Sequence, residues 1–368
     1  MNEIINTSYQ KIRRNKEELI KHLNTFNLNI QVSVGLWFFS QRMGRFHDSY
    51  DQERTIEERI EIVSRLEKYG VKAVEAKYPD EVNEENYYLY EELEKETGIK
   101  LLACLPDLWY PKECQFGSLS NPINKYRDMA IDLFIRSLKF VKNKGLHHCA
   151  ISPTNDGYTY ALGTLYYDMW DKYEDAIAIA MDEVPGVQVA LEPKPYEPVP
   201  NGIYRTTADA LIACRDIESR LRVKENKDLI EKGYTLLGIQ PELGHIRMGY
   251  EDIPYAISRI SREGRLFHVH LNSQPIGNYS QDLNTGVVEW QQTEATLYAL
   301  KMIGYKGYLG LDLNPEKMTI EKAVEINSLV LNIMNDRINR LKHEEIIEAY
   351  FNPEHMGDIE IILAKNMR

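Results

Sequence analysis

The sequence predicts an α/β protein, a (β/α)8 TIM barrel with an N-terminal helical extension and a C-terminal helical arm. Three observations lead to this prediction. Short apolar segments alternate eight times with longer amphipathic segments. The length of 368 residues suits such a barrel with extensions, which takes roughly 200 to over 400 residues. No glycine-rich phosphate-binding turn follows the first apolar segment, which argues against an open doubly wound sheet.

The eight apolar segments are predicted strands. Most of their positions are apolar, as expected for parallel strands that are covered on both faces. In chain order they are 30–37, 71–79, 100–106, 146–153, 187–193, 234–240, 265–271 and 305–313. The sequence therefore predicts a closed parallel sheet whose strand ends meet at one mouth.

The segments after the strands are predicted helices, because apolar residues recur at helical spacing and several segments end at a glycine. They are 54–70, 83–98, 121–145, 166–186, 206–217, 251–264, 289–304 and 319–341. We therefore divide the chain into a polar, helical extension (1–29), the barrel (30–340) and a C-terminal arm (341–368). Such an arm packs on its own barrel or on a neighbour, and we expect a homo-oligomer, a dimer or a tetramer.

Composition excludes several classes of protein. The net charge of −12 argues against a nucleic-acid groove, which needs a basic surface. No apolar run approaches the roughly 18 residues of a membrane span, and the polar N-terminus has no signal-peptide pattern. The four cysteines are scattered without a CxxC motif, which favours reduced thiols and a cytoplasmic location.

Polar residues stand at the ends of four successive predicted strands. Glu192, Glu242, His270 and Asp312 end or follow the fifth to eighth strands. Strand ends converge at the mouth of this fold, where active sites lie. Three carboxylates that are crowded there repel one another, and a divalent cation removes that repulsion. Carboxylate oxygens with one imidazole suit Mn²⁺, Co²⁺, Mg²⁺ or Zn²⁺, and Asp282 could add a further oxygen.

Each of these residues has a simpler interpretation when taken alone. A single acid at a strand end is most often a helix N-cap or a solvated loop residue. His268, inside the seventh strand, is more readily explained as a hydrogen-bonded core histidine than as a ligand. His47 could be a surface or cap residue. The metal site is predicted from the agreement of four strand ends and not from any one of them.

Several motifs resemble those of the xylose isomerase-like barrel superfamily, close to the sugar isomerases. LEPKPYEP (191–198) differs at one residue from that family's EPKPNEP. GLW (35–37), DLW with FGSLSN (107–121), PELGHIRM (241–248), LFHVHLNSQ (266–274) and YSQDL (279–283) are similar to its other motifs in the same order. The resemblance covers about residues 32 to 335.

The resemblance implies roles for individual residues. Glu192, Glu242 and Asp312 would ligate one metal, and Glu242, His245 and Asp282 a second, catalytic metal. Lys194 would hydrogen-bond and polarise the substrate carbonyl. Trp37 and Trp109 would form apolar walls around the substrate carbons. The same resemblance implies that Lys194, His245 and Glu242 are catalytic.

The chain also departs from the xylose isomerase pattern. His270 stands where that family has an aspartate, which resembles L-rhamnose isomerase-type members that use histidine as a ligand. Ser280 replaces a carboxylate of the second metal site, and Lys77 lies near the position of the ring-opening histidine. Asp156 is a further candidate for the pocket lining, together with Lys77. These departures argue against xylose as the substrate.

The sequence therefore predicts a metal-dependent aldose–ketose isomerase that acts on a small-molecule sugar, with a hydride shift between C1 and C2. One alternative is an epimerase, dehydratase or C-glycoside-cleaving lyase that uses the same site on a keto-sugar. Another is a non-catalytic sugar-binding protein whose metal site has decayed. Because His270 must be neutral to bind a metal, we expect metal affinity to fall below about pH 6.

Overall fold

The computed structural model describes residues 4–40, 52–153 and 155–366, and within these ranges the predicted barrel is confirmed. Ten strands are present in the described residues: β1 Val32–Gly35, β2 Val71–Tyr78, β3 Lys100–Pro106, β4 His148–Ile151, β5 Gly157–Tyr158, β6 Val189–Leu191, β7 Asn201–Gly202, β8 Leu237–Ile239, β9 Val269–Leu271 and β10 Leu309–Leu311. Eight of them form one parallel sheet, and β5 pairs with β7 in a separate antiparallel ribbon.

The parallel sheet closes on itself. Its strand order is β8-β6-β4-β3-β2-β1-β10-β9, so β8 and β9 are the two ends. Parallel bridges join these ends at Ile239–Leu266 and at Glu242–His270. The second bridge includes a hydrogen bond of 2.9 Å from the His270 amide to the Pro241 carbonyl. Closure brings the carboxyl ends of all eight strands to one mouth.

The described helices are α1 Lys16–Thr25, α2 Ile56–Ser64, α3 Tyr88–Thr97, α4 Asn124–Lys144, α5 Tyr166–Glu183, α6 Thr207–Arg220, α7 Lys224–Glu231, α8 Leu243–Met248, α9 Ile253–Arg262, α10 Trp290–Ile303, α11 Ile320–Asn339, α12 His343–Phe351 and α13 Met356–Lys365. Each of the eight predicted helices between strands overlaps one of them. Local signals explain several ends. Thr55 and Glu58 form a capping box at the start of α2, and Gly145 ends α4 in a left-handed conformation.

Two helices, α7 and α8, were not predicted. The α8 helix has six residues, too few for an apolar period to be visible in the sequence. Glu242 is its N-cap residue and His245 lies within its first turn. Residues three apart in a helix share a side, so α8 directs Glu242 and His245 towards the same place.

The N-terminal extension crosses the face of the barrel opposite the mouth. Its backbone at Ile5 exchanges two hydrogen bonds with the Gln188 side chain, of 2.6 and 3.2 Å. The Gln10 side chain exchanges two hydrogen bonds with the backbone of Leu266, of 2.7 and 3.2 Å. Gln188 and Leu266 lie just before strands β6 and β9, so the extension satisfies polar groups at the amino ends of the strands.

The C-terminal arm, α12 and α13, contacts the extension and the barrel helices. Lys16 of α1 pairs with Glu348 at 2.6 Å, and the His343 ring stacks on Tyr298 at 5.7 Å. On α13, Ile361 is 51% exposed and Leu363 is 43% exposed. The predicted oligomer stays a prediction. No helix in the described ranges has the length and hydropathy needed to span a bilayer.

His148, at the start of β4, predicts a pH dependence of stability. Burial, with His268 nearby, lowers the pKa of His148 to about 4, while Gln240 accepts a 3.0 Å hydrogen bond from its Nε2. Between the unfolded value near 6.5 and about 4, the unfolded chain binds a proton that the folded chain does not. The free energy of unfolding therefore falls as the pH falls through this window.

We expect this residue to remove about 2 kcal/mol of unfolding free energy between pH 7 and pH 5. Urea unfolding at both pH values measures the change. In His148→Gln, which keeps a donor but cannot titrate, the loss should be smaller by that amount. His355→Gln is the control, because His355 lies on the surface. Equal losses in His148→Gln and the unchanged protein would contradict the prediction.

Candidate metal centre and active site

Four side chains at the mouth can hold one metal ion. The predicted residues Glu192, Glu242, His270 and Asp312 each offer a ligand atom, and these four atoms lie within 4.8 Å of one another. Glu192 follows β6, His270 lies in β9 and Asp312 follows β10. Glu192, Glu242 and His270 are buried, and the Asp312 side chain is 19% exposed. The structure thus brings together the four strand-end residues that the sequence singled out.

A neutral donor holds one oxygen of each carboxylate. The Gln240 amide donates to Glu192 at 2.8 Å, and the Asn272 amide donates to Glu242 at 2.7 Å. The Trp37 indole N–H donates to Oδ1 of Asp312 at 2.8 Å. Trp37 therefore positions a carboxylate, and the apolar wall expected of it stays a prediction. With one oxygen fixed in this way, the other oxygens of Glu242 and Asp312 remain available to a cation.

A carboxylate deeper in the barrel orients His270. Nε2 of His270 lies 3.0 Å from Oε2 of Glu75, a fully buried residue of β2. Oε1 of Glu75 accepts from the Ser33 hydroxyl at 2.8 Å and lies 2.9 Å from Nε2 of His268. Nδ1 of His270 then faces Glu192 at 3.2 Å. A histidine held by a carboxylate through one nitrogen presents the other nitrogen to a metal.

Gly310 of β10 makes room for the two histidines. A Cβ atom at this position would lie 2.6 Å from Nε2 of His268 and 2.6 Å from Cδ2 of His270. Both contacts are shorter than side chains tolerate. The absence of a side chain at Gly310 therefore allows both rings to occupy the same level of the barrel.

Crowding of acids changes their ionisation. Burial raises the pKa of Glu242 well above its ordinary value, and the charges of Asp312, Asp282 and Glu192 add to the effect. Burial also raises the pKa of Asp312 to about 7, although His270 opposes the shift. A divalent cation stabilises the ionised form of such acids, so the donor set fits Mn²⁺, Co²⁺, Mg²⁺ or Zn²⁺.

Glu192 behaves differently from its neighbours. Burial alone would raise its pKa, but hydrogen bonding and charge from His270 outweigh burial, and the pKa falls to about 2. Glu192 is therefore ionised at neutral pH, whereas Glu242 takes up a proton more readily than an ordinary glutamate does.

Lys194 places a buried ammonium group beside the carboxylates. Burial lowers its pKa, but the charges of Asp282 and Glu242 outweigh burial and raise it. Nζ lies 3.6 Å from Glu197 and 5.5 Å from the centre of the Trp109 ring. Lys194 therefore remains a cation in an apolar and acidic pocket, where it can donate to an anionic or carbonyl oxygen.

His245 and Asp282, implied for a second metal, lie next to the first group. Nε2 of His245 is 3.2 Å from Glu242, and Nδ1 is buried without a hydrogen-bond partner in the described residues. The Ser280 hydroxyl donates to Asp282 at 2.8 Å. The described ranges contain two groups that could hold a metal, the four strand-end residues and the set of Glu75, His268 and His270. Asp282 belongs to neither, so the second metal stays a prediction.

Asp156 is enclosed in a loop. Its carboxylate accepts from the amide and hydroxyl groups of both Ser118 and Ser120, and the residue is fully buried. These bonds hold the loop that follows β3. The substrate contact expected of Asp156 stays a prediction, and His47 lies outside the described residues.

Sequence reasoning missed three residues that support the centre. They are Glu75, Gln240 and Asn272. A signal for Glu75 was present, because a lone acid in the apolar strand VKAVEAKY points to a buried partner. Gln240 and Asn272 gave no such signal, since amides are common at strand ends. His268 is the hydrogen-bonded core residue that the sequence favoured.

Residues 63–329 match the family described as xylose isomerase-like TIM barrel. The chain belongs to this family. The xylose isomerase of Thermus thermophilus is 23% identical over 62% of this chain and 57% of its own length. That of Streptomyces lividans is 29% identical over 36% of this chain and 30% of its own. The chain thus spans about half or less of the curated relatives that it matches.

Solved structures show the same xylose isomerase-like fold. An L-ribulose 3-epimerase has a TM-score of 0.60 at 15% identity, with 85% of this chain and 96% of that chain covered. A D-psicose 3-epimerase has a TM-score of 0.56 at 15% identity, with coverages of 84% and 100%. The 3-keto-D-glucoside 4-epimerase of E. coli has a TM-score of 0.55 at 15% identity, with the same coverages. At such identities the likeness concerns the fold.

Glu242→Gln provides a test of the metal centre. A saturating divalent cation stabilises the fold, by about 2.7 kcal/mol at a hundred times the dissociation constant. We expect Mn²⁺ or Co²⁺ to raise the melting temperature of the unchanged protein and not of the variant. Without metal, the variant should be at least as stable, because burial and the charges of Asp312, Asp282 and Glu192 disfavour the ionised form of Glu242, and glutamine carries no charge. Thermal unfolding with and without each cation measures both effects.

The matched control is Glu344→Gln, on the exposed surface of the arm, which should respond to metal as the unchanged protein does. An equal metal-induced rise in Glu242→Gln would remove Glu242 from the ligand set.

Metal binding should release protons. Burial lowers the pKa of His270, but Glu75 and Glu192 outweigh it and raise this pKa well above the usual value; the pKa of Glu242 is raised as well. Both groups therefore keep their protons to a higher pH than the free side chains do, and they must lose these protons to bind a cation. We expect affinity to fall as the pH falls from 8 to 6, by up to about tenfold per unit for each proton. This pH range lies above the value of about pH 6 below which the sequence predicted a loss of metal affinity.

Titration calorimetry in two buffers of different ionisation enthalpy counts the released protons. An affinity that does not change over this pH range would contradict the prediction.

Proposed function

We propose that this protein is a divalent-metal-dependent aldose–ketose isomerase that acts on a small sugar. The observation that carries the proposal is the buried ammonium of Lys194, whose Nζ lies 3.6 Å from Glu197, in the segment that also contains Glu192. A carbonyl oxygen at this place would meet a permanent hydrogen-bond donor on one side and the four-ligand group on the other. When bound there, a divalent cation supplies Lewis-acid stabilisation for adjacent substrate oxygens.

Lys194 polarises the substrate carbonyl. Its Nζ lies above the Trp109 ring, so that the donor is held at the edge of an apolar surface. A hydrogen bond from a charged donor is about twice as strong as one between neutral groups. Lys194 therefore stabilises the negative charge that develops on this oxygen as hydrogen leaves the neighbouring carbon.

The tryptophans exclude water from the reacting carbons. Trp37 packs at 6.1 Å from the His270 ring, and its N–H is occupied by Asp312. Trp109 covers Lys194 on another side. A dry site favours direct movement of hydrogen between C1 and C2, because hydrogen that becomes a free proton exchanges with solvent.

Family membership and two curated relatives named xylose isomerase support this proposal. The retained segment LEPKPYEP supports it more directly, because Glu192 belongs to the four-ligand group and the buried Lys194 follows it in the same segment. Glu197 joins this segment to the loop after β9, since its carboxylate accepts from the Ser280 amide at 2.9 Å.

A second candidate is a keto-sugar epimerase. The pKa of Asp312, which burial raises to about 7, favours it, because a carboxyl that exchanges its proton near neutral pH can act as acid or base beside a carbonyl-activated carbon. Three solved structures with a similar fold are named epimerases, and these names describe the activities of those three proteins.

Incubation of the Mn²⁺-loaded protein with aldoses and ketoses in D₂O separates these functions, with carbon-bound hydrogen followed by NMR. We expect aldose–ketose conversion with little deuterium at C1 or C2. Lys194→Met should reduce kcat by about 10²-fold or more, as removal of an oxyanion donor does. Lys72→Met, on the outer face of β2, is the control.

Deuterium at a single carbon together with inversion there would replace the isomerase by the epimerase. A protein that binds Mn²⁺ and a sugar but moves no hydrogen would be the non-catalytic binding protein that the sequence left open.

A further inference from the structure

Lys77 is a second ammonium group at the mouth. It ends β2 two residues after Glu75, on the same face of the strand. Its Nζ lies 4.9 Å from the centre of the Tyr110 ring and 5.8 Å from that of Trp109. Since Lys194 lies 5.5 Å from the same Trp109 ring, two cations stand beside one indole.

The charge of Lys77 acts on the nearby carboxyls of Glu81 and Asp107 without pairing directly with either. In the described part of the chain, its Nζ forms no ion pair within 4.0 Å. The acids around it have other partners. Glu81 pairs with Arg59 at 3.0 Å and accepts from the Lys77 backbone amide at 2.8 Å. Asp107 accepts from the Trp109 amide at 3.1 Å.

Lys194 has a different electrostatic surrounding. Its charge is balanced by Glu197, Asp282 and Glu242. Lys77 faces the rings of Tyr110 and Trp109, and its two neighbouring acids already have other partners. A lysine without a direct ion pair binds an anion more readily than a paired lysine does. The chain has a net charge of −12, so a local cation here also offsets the repulsion that an anionic substrate would meet.

We propose that the substrate is an anionic sugar whose terminal carboxylate or phosphate binds Lys77. This inference rests on the proposed function and names its substrate class. The carbonyl end of the sugar lies at Lys194 and the metal ligands. The carbon chain lies along Trp109, whose flat face suits the C–H groups of a sugar. Lys77 thus determines specificity at the far end of the substrate and takes no part in the hydrogen transfer.

Binding of matched sugars tests this inference. The probes are D-glucose, D-glucuronate and D-glucose 6-phosphate, with D-ribose and D-ribose 5-phosphate as a second series. Titration calorimetry is done on Mn²⁺-loaded and on metal-free protein, because a carboxylate or phosphate could also bind the metal. We expect at least one anionic sugar to bind tenfold or more tightly than its neutral counterpart in both forms.

Three variants assign the preference to Lys77. In Lys77→Met, the affinities for the anionic and the neutral sugar should differ by no more than twofold. Lys77→Arg, which keeps the charge, should retain most of the preference for the anionic sugar. Lys72→Met is the matched control, since Lys72 lies in the same strand but pairs with Glu67 at 2.8 Å. Melting temperatures verify that each variant is folded. The glucuronate and phosphate results distinguish the two anionic groups.

No difference between anionic and neutral sugars, or a preference that survives in Lys77→Met, overturns the inference. If the protein isomerises a neutral sugar and shows no anionic preference, this inference fails while the isomerase stands. If it binds an anionic sugar through Lys77 without moving hydrogen, the isomerase fails while the substrate class stands.

Discussion

The buried carboxylate of Glu75 is the interaction on which the centre depends. Burial would raise its pKa, but the charges of His268 and His270 outweigh burial and hold it well below the ordinary range. Glu75 is therefore an anion inside the barrel, a costly state that the bonds from Ser33 and the two histidines offset. Removal of one partner from a buried charged pair costs about 3–5 kcal/mol, so this arrangement strongly resists reorientation.

Two chains of hydrogen bonds orient side chains at the mouth. One route leads from Glu75 in β2 to His270 in β9. The other leads from His148 in β4 through Gln240 to Glu192. Because His148 donates to the Gln240 oxygen, the amide nitrogen of Gln240 must face the carboxylate. Glu75, His148 and Gln240 thus fix two of the four candidate ligands, which need little rearrangement to accept a cation.

The sequence predicted the barrel and the cluster of four candidate ligands because both follow from regular spacing. Eight repeats of strand and helix are visible as apolar periodicity, and the ends of parallel strands must meet. Glu192, Glu242, His270 and Asp312 were found by this rule alone. The centre therefore follows from topology.

The supporting residues could not be predicted in the same way. The partner of Asp312 is Trp37, which follows β1, 275 positions earlier in the chain. Such a contact depends on side-chain directions that no periodicity encodes. The short helix α8 was missed for a related reason, since its course is set by the Asn272 side chain, which accepts from the Gly244 amide at 2.8 Å. Tertiary contacts determine these details.

Gly310 shows that a residue without functional groups can be as necessary to a site as a ligand. Any side chain there would displace His268 and His270 together, and with them the contacts of Glu75. A search of the sequence for acids, bases and ligands passes over this position. In a saturation mutagenesis library, Gly310 should nevertheless tolerate as few replacements as the ligands do, and its intolerance would report on shape, whereas theirs reports on chemistry.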